Sequence, residues 1–364
     1  MHPTKRIDEI DFWRGVALVV IFINHFQGNI ISFITPKNYA FSDSAEAFVF
    51  ISGLSVALAY RRYFLKKDHI GGIAKLFQKA SLLYFVHVFL TLAAVVLYWF
   101  GSSIMNVPDI ITVDGRGALF SSPREAFIGV LGLTHQVGYF NILPIYVLFL
   151  LISPAILIGG VKNRWMMFSL SCVIYIVARH QNFNFPSWPE EGVWYFNPFT
   201  WQLLFSLGVF FGLGNSENMI GVNKSLYSAS ITFTVLAALI VSNFFGFVPG
   251  FVDSAGQFLD WDKTQLGVVR IVDFLAMAYL IYASGITESL KRARFYPAVE
   301  KIGRNGLLIF CFASLLSAAG TIIKEAYALT GLFDLVFVAI GVKLLHAIAV
   351  AYETYAARRL EYKI

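Results

Sequence analysis

Charge is scarce in this sequence: Asp, Glu, Lys and Arg together make up 14% of 364 residues, and cysteine occurs only twice. A chain so poor in charge cannot clothe a water-facing surface, and two cysteines cannot build a disulfide framework. Cys172 and Cys311 stand inside apolar runs, without CxxC or Cys/His spacing, so they read as small core residues and no metal site is expected. Also missing are the phosphate-cradling GxxxxGK[ST] loop, the GxSxG elbow and the HExxH helix, the usual marks of soluble enzymes. No linker, periodic repeat or low-complexity tract divides the chain, so residues 1–364 are expected to form a single multi-pass domain.

Apolar residues take the place of charge. They reach 57%, with 16% aromatic and a mean hydropathy of +0.67, more than one soluble core could bury, and a bilayer is the solvent that fits. Runs able to cross ~30 Å of hydrocarbon fall near 13–34, 46–65, 76–100, 139–159, 165–180, 198–214, 225–247, 267–288, 303–324 and 331–353. The expected fold is therefore all-α and integral to the membrane, with about ten transmembrane helices. The first run is not read as a signal peptide. Although Ala45-Glu46-Ala47 has the form of a cleavage site, Gly15 to Ile34 is too long for an h-region and Asp8, Glu9 and Asp11 make a poor n-region.

Loop charge sets the expected orientation. An inside N-terminus gathers Lys5 and Arg6, the group from Arg61 to Lys79, Lys162, Arg164, Lys224, the group from Lys291 to Arg304, and Arg358, Arg359 and Lys363 on one side. By the positive-inside rule both termini are then cytoplasmic. The pI of about 9.1 follows from this topology and from lipid headgroups, and no nucleic-acid partner is called for.

Ionisable groups within spans are costly and mark candidate sites. Arg14 and His25 lie eleven residues apart, which returns to nearly the same helix face and separates them by roughly 16 Å along the axis. Arg14 is expected at the cytoplasmic mouth and His25 well inside the bilayer; the structural alternative is a snorkelling arginine and a satisfied core imidazole. Asp43 and Glu46 share a face at i,i+3 ahead of Ser52-Gly53, and the short first loop brings them beside His25, where a carboxylate could steady an imidazolium. Each also suits the positive end of a helix dipole as a cap. Arg270 and Asp273, again i,i+3, could neutralise each other; Lys343 and His346 could line the same cavity; His87 stands alone and reads as structural. In Asn197-Pro198-Phe199-Thr200-Trp201-Gln202 the first two read as cap and first helical residue. Trp201 and Gln202 then face a sugar or serve as interface anchors.

Asp11-Phe12-Trp13-Arg14-Gly15 running to Asn24-His25, then Phe41-Ser42-Asp43 with Phe48-Val49-Phe50-Ile51-Ser52-Gly53, resembles the OpgC family, named for succinylation of osmoregulated periplasmic glucans, and through it the broader acyltransferase-three superfamily. Leu143-Pro144-Ile145-Tyr146, Phe196-Asn197-Pro198-Phe199 and Gly303-Arg304-Asn305 extend the likeness along nearly the whole chain. The resemblance implies an O-acyltransferase of the bacterial inner membrane, its helices set around a central acyl-donor cavity. It would move an acyl group, succinyl or acetyl, from cytoplasmic acyl-coenzyme A to a hydroxyl of a periplasmic glycan. The matching arginine and histidine are that superfamily's essential pair, which implies His25 as general base and Arg14, helped by Arg61 and Arg62, as the donor-phosphate contact; acylation of His25 itself is the other route. Where the family is expected to carry Asp-His this chain has Asn24-His25, so the orienting role passes to Asp43 or Glu46. Trp201, Gln202, Arg270 and Asp273 are the candidate acceptor contacts, and a homo-oligomer is left open. The competing class is a transporter or flippase for an anionic or lipid-linked solute, against which stands the lack of paired broken helices in related halves.

Overall fold

Apolar runs end where the backbone finds a partner other than the next turn, and the first does so early. In the computed structural model, which describes residues 7–214, 221–244 and 258–361, helix α1 spans Asp8–His25. Three acids in its first turn suit the positive end of the dipole. The run expected over 13–34 breaks after His25 because Gly28 takes φ +67° and the Asn29 amide donates to the carbonyls of Ile23, at 2.8 Å, and Phe26. Two short 3-10 turns, Ile30–Ile34 and Pro36–Asn38, carry the chain to α2.

Helix α2, Ser44–Leu65, opens with a capping box in which Asp43 accepts from Ala45 N–H at 2.8 Å and Glu46 accepts from Asp43 N–H at 2.8 Å. A turn at residues 66–68 leads to α3, His69–Ser103, whose first turn is capped by Asp68. At 35 residues, or about 52 Å, α3 outruns the hydrocarbon layer. The basic group expected as a loop from Arg61 to Lys79 is thus two helix ends around a tight turn. Short helices α4, Gly117–Ser121, and α5, Pro123–Leu131, occupy the loop that follows.

The remaining helices are α6, Ile142–Lys162; α7, Arg164–His180; α8, Pro198–Leu213; α9, Lys224–Val241; α10, Val268–Ser284; α11, Ile286–Leu290; α12, Tyr296–Arg304; α13, Gly306–Ala326; and α14, Gly331–Glu361. Each of the ten expected segments contains a helix. Among the described residues α2, α3, α6, α9, α13 and α14 are long and apolar enough to cross a membrane, and α8 is apolar but shorter. Residues 245–247 of the seventh segment, and Lys5, Arg6 and Lys363, lie outside the described residues.

Two contacts fix the centre. Helices α2 and α8 approach so closely that a side chain at Gly53 would meet the Phe205 carbonyl and one at Gly208 the Phe50 carbonyl, a small-residue crossing of the kind that membrane helices use. Along the first half of α1 lies the amphipathic α12, where Phe12 stacks on Tyr296 with ring centroids 4.3 Å apart.

Candidate functional site

Helix α1 places Arg14, Leu18, Phe22 and His25 on one face, with Leu18 and Phe22 wholly buried between the two polar residues. Arg14 is held at its end: it donates to Asp11 at 2.6 Å, to the Gly303 carbonyl at 3.3 Å and to the Ser55 hydroxyl. His25 is the last residue of α1, at the end of the helix opposite its acidic first turn.

The surroundings of His25, itself half-buried, are polar. Its ring lies 4.6 Å from that of Tyr139, and its Nδ1 is buried without a hydrogen-bond partner. It lines a cavity of about 10 Å³ with Gln27, Tyr98, Arg116, Ser314 and Thr321, room for about one water. Arg116 is 2% exposed. Its terminal nitrogens donate to Ile110 O at 2.8 Å and Asp114 at 2.9 Å, and its guanidinium lies 4.2 Å from the centre of the Tyr98 ring. Gln27 ties the same group together by donating to Asp114 and to the Tyr139 hydroxyl, each at 3.0 Å. Arg116 is not among the candidates that the sequence singles out; the signal available was Asp114-Gly115-Arg116-Gly117, a turn-forming stretch with charges at fixed offsets.

The carboxylates make a different set of contacts from those expected. Glu46, fully buried, accepts from Arg270 Nε at 2.7 Å and forms an ion pair at 2.6 Å, while Asp43 takes Lys263 at 2.5 Å and Arg270 at 3.3 Å. Neither is hydrogen-bonded to His25 among the described residues, because the buried Arg270 of α10 and the half-buried Lys263 before it claim both. Burial alone would raise the Asp43 carboxyl, but Lys263 and Arg270 outweigh it and hold it below the ordinary aspartate range. Arg270 and Asp273 do not pair with each other either. Asp273 instead accepts from the N–H and hydroxyl of Ser42, at 2.9 and 2.6 Å, fastening α10 to the start of α2.

Trp201 and Gln202 face packing rather than a ligand. The indole is wholly buried and donates to Lys263 O at 3.0 Å. The Gln202 amide is engaged by Ser171 and by the Phe199 carbonyl, consistent with α8 being buried almost all round. Asn197 does cap α8 and Pro198 is its first residue. Arg61 donates to Gly212 O at 3.0 Å and Arg62 is exposed at the end of α2. Lys343 is exposed along α14 and His346 half-buried, so the two share no pocket with His25. His87 is buried in α3 with neither ring nitrogen partnered. A cleft of about 320 Å³ runs between α1, α2 and α10 from Glu9 and Trp13 to Ser42 and Asp43. Its lining includes neither Arg14 nor His25, so this apolar cleft is not the expected central cavity joining the two.

A family model described as OpgC protein matches residues 6–357 of the chain. No curated protein and no solved structure matches it.

Proposed function

The chain belongs to the OpgC family, a family of glucan-modifying acyltransferases, and from that premise we propose that it transfers a succinyl group from cytoplasmic acyl-coenzyme A to hydroxyls of a glucan outside the inner membrane. In this reading the chain crosses the bilayer about ten times, with both termini in the cytoplasm. The observation that carries it is the placement of His25. Its ring closes α1 at the end away from the acidic first turn, with one nitrogen buried and unpartnered, on the same face as Arg14 and roughly 16 Å from it along the axis.

His25 accepts the proton of the attacking sugar hydroxyl, the role for which an imidazole is suited near neutral pH. Arg14, oriented by Asp11, Ser55 and the Gly303 carbonyl, meets the donor phosphates, with Arg61 and Arg62 adding positive potential at the same side. Leu18 and Phe22 fill the face between them, so donor entry displaces packed side chains. Transfer through an acylated His25 uses the same two residues.

The test separates binding from chemistry. In membranes carrying His25→Ala, acylated glucan should vanish while acyl-coenzyme A binding largely survives. Arg14→Ala should weaken donor binding by roughly 1.5–3 kcal/mol, the range for a hydrogen bond to a charged group. Equal loss of donor binding in both variants would sink this division of roles.

A further inference from the structure

Three polar atoms around one small cavity have no partner: Nδ1 of His25, Nε of Arg116 and Oγ of Ser314. A buried donor left unpaired is costly, and a cluster of them signals a group that arrives. Arg116 is the most telling member, because it is 2% exposed and fixed on three sides. Each terminal nitrogen donates once, to Ile110 and to Asp114, and one face lies against Tyr98, while the buried Nε–H has no partner at all.

Resting on the acyl-transfer reading above, the geometry points to Arg116 as a second catalytic residue, the donor that stabilises the oxyanion of the reacting carbonyl opposite His25. The volume, about 10 Å³, suits a single oxygen atom and excludes an acyl chain. In the step, the glucan hydroxyl oxygen bonds to the thioester carbonyl carbon and its proton passes to His25. The carbonyl π electrons move onto oxygen, where the Nε–H of Arg116 and the Ser314 hydroxyl donate to it. Collapse re-forms the carbonyl, breaks the carbon–sulfur bond, and returns the proton from His25 to the departing thiolate. Donors that await charge in a water-excluded site act on the transition state more than on the bound substrate, so the effect belongs in kcat.

The experiment measures kcat and both KM values of purified protein with acyl-coenzyme A and glucan for wild type, Arg116→Ala and Arg116→Lys. Arg116→Ala is expected to lose at least about 100-fold in kcat with each KM within about 3-fold, and low, non-denaturing guanidinium should restore part of the rate. Should Arg116→Ala fail to accumulate, Arg116→Lys keeps the buried cation but has no Nε–H, and the same kcat loss is expected. Wild-type kcat in either variant, or a rise in KM alone, would overturn the assignment while leaving the acyltransferase reading intact. A wild-type protein that transfers no acyl group from the thioester would overturn both.

Discussion

At the scale of single residues, Glu46 shows how one carboxylate can be committed twice, to the cap of α2 and to Arg270. Removing one member of a buried ion pair costs about 3–5 kcal/mol, because the survivor is left uncompensated. Glu46→Gln is therefore expected to lower folded yield and melting temperature, with Arg270→Gln in the same chain recovering part of the loss. A Glu46→Gln protein that melts like wild type would show that the pair contributes nothing. Asp43 invites a pH measurement. Its carboxyl is held below the ordinary aspartate value, so its contribution is present above about pH 4 and is lost as pH falls further. Asp43→Asn should then destabilise equally at pH 5 and pH 8, and a deficit growing between those two values would contradict the assignment. The Arg14/His25 pair was legible because helical periodicity alone puts residues eleven apart on one face. Arg116 was not, since only folding of the outer loop brings it to a histidine 91 positions earlier.

Among elements, the α2–α8 crossing fixes the helix at whose start Asp43 and Glu46 stand. A leucine at Gly208 would press on the Phe50 carbonyl and neighbouring backbone, and backbone at such a contact has no rotamer with which to yield. Gly208→Leu should cut the yield of folded protein sharply, whereas Gly221→Leu, with nothing near its position, should not; equal yields would place the crossing elsewhere. Hydropathy found a helix for each segment because membrane helices satisfy their own backbone groups and so announce themselves in composition. Their ends were less legible. The first helix stops at His25 because a side chain four residues further on, Asn29, takes over two carbonyls, a tertiary event that a running average of hydropathy smooths away. For Trp201 and Gln202, polarity in an apolar run looked like a ligand contact, but both are held by neighbouring loops and α7.

Over the whole molecule, the proposal stands on orientation as well as on chemistry, since donor and acceptor are taken to lie on opposite faces. Cysteines introduced at Ser102 and Ser187 should label from outside with an impermeant thiol reagent, and one at the exposed Lys66, in the α2–α3 turn, should label only after permeabilisation. Labelling of the Lys66 site in intact cells would reverse the orientation. Cys172 and Cys311 are both partly buried, and a variant lacking them supplies the background. The central claim, that His25 drives acyl transfer to an outer glucan, is tested most directly by the mass of that glucan. Glucan from cells expressing the wild-type chain should carry added acyl groups, and glucan from cells expressing equal amounts of folded His25→Ala should carry none. Equal acylation in the two would contradict the account.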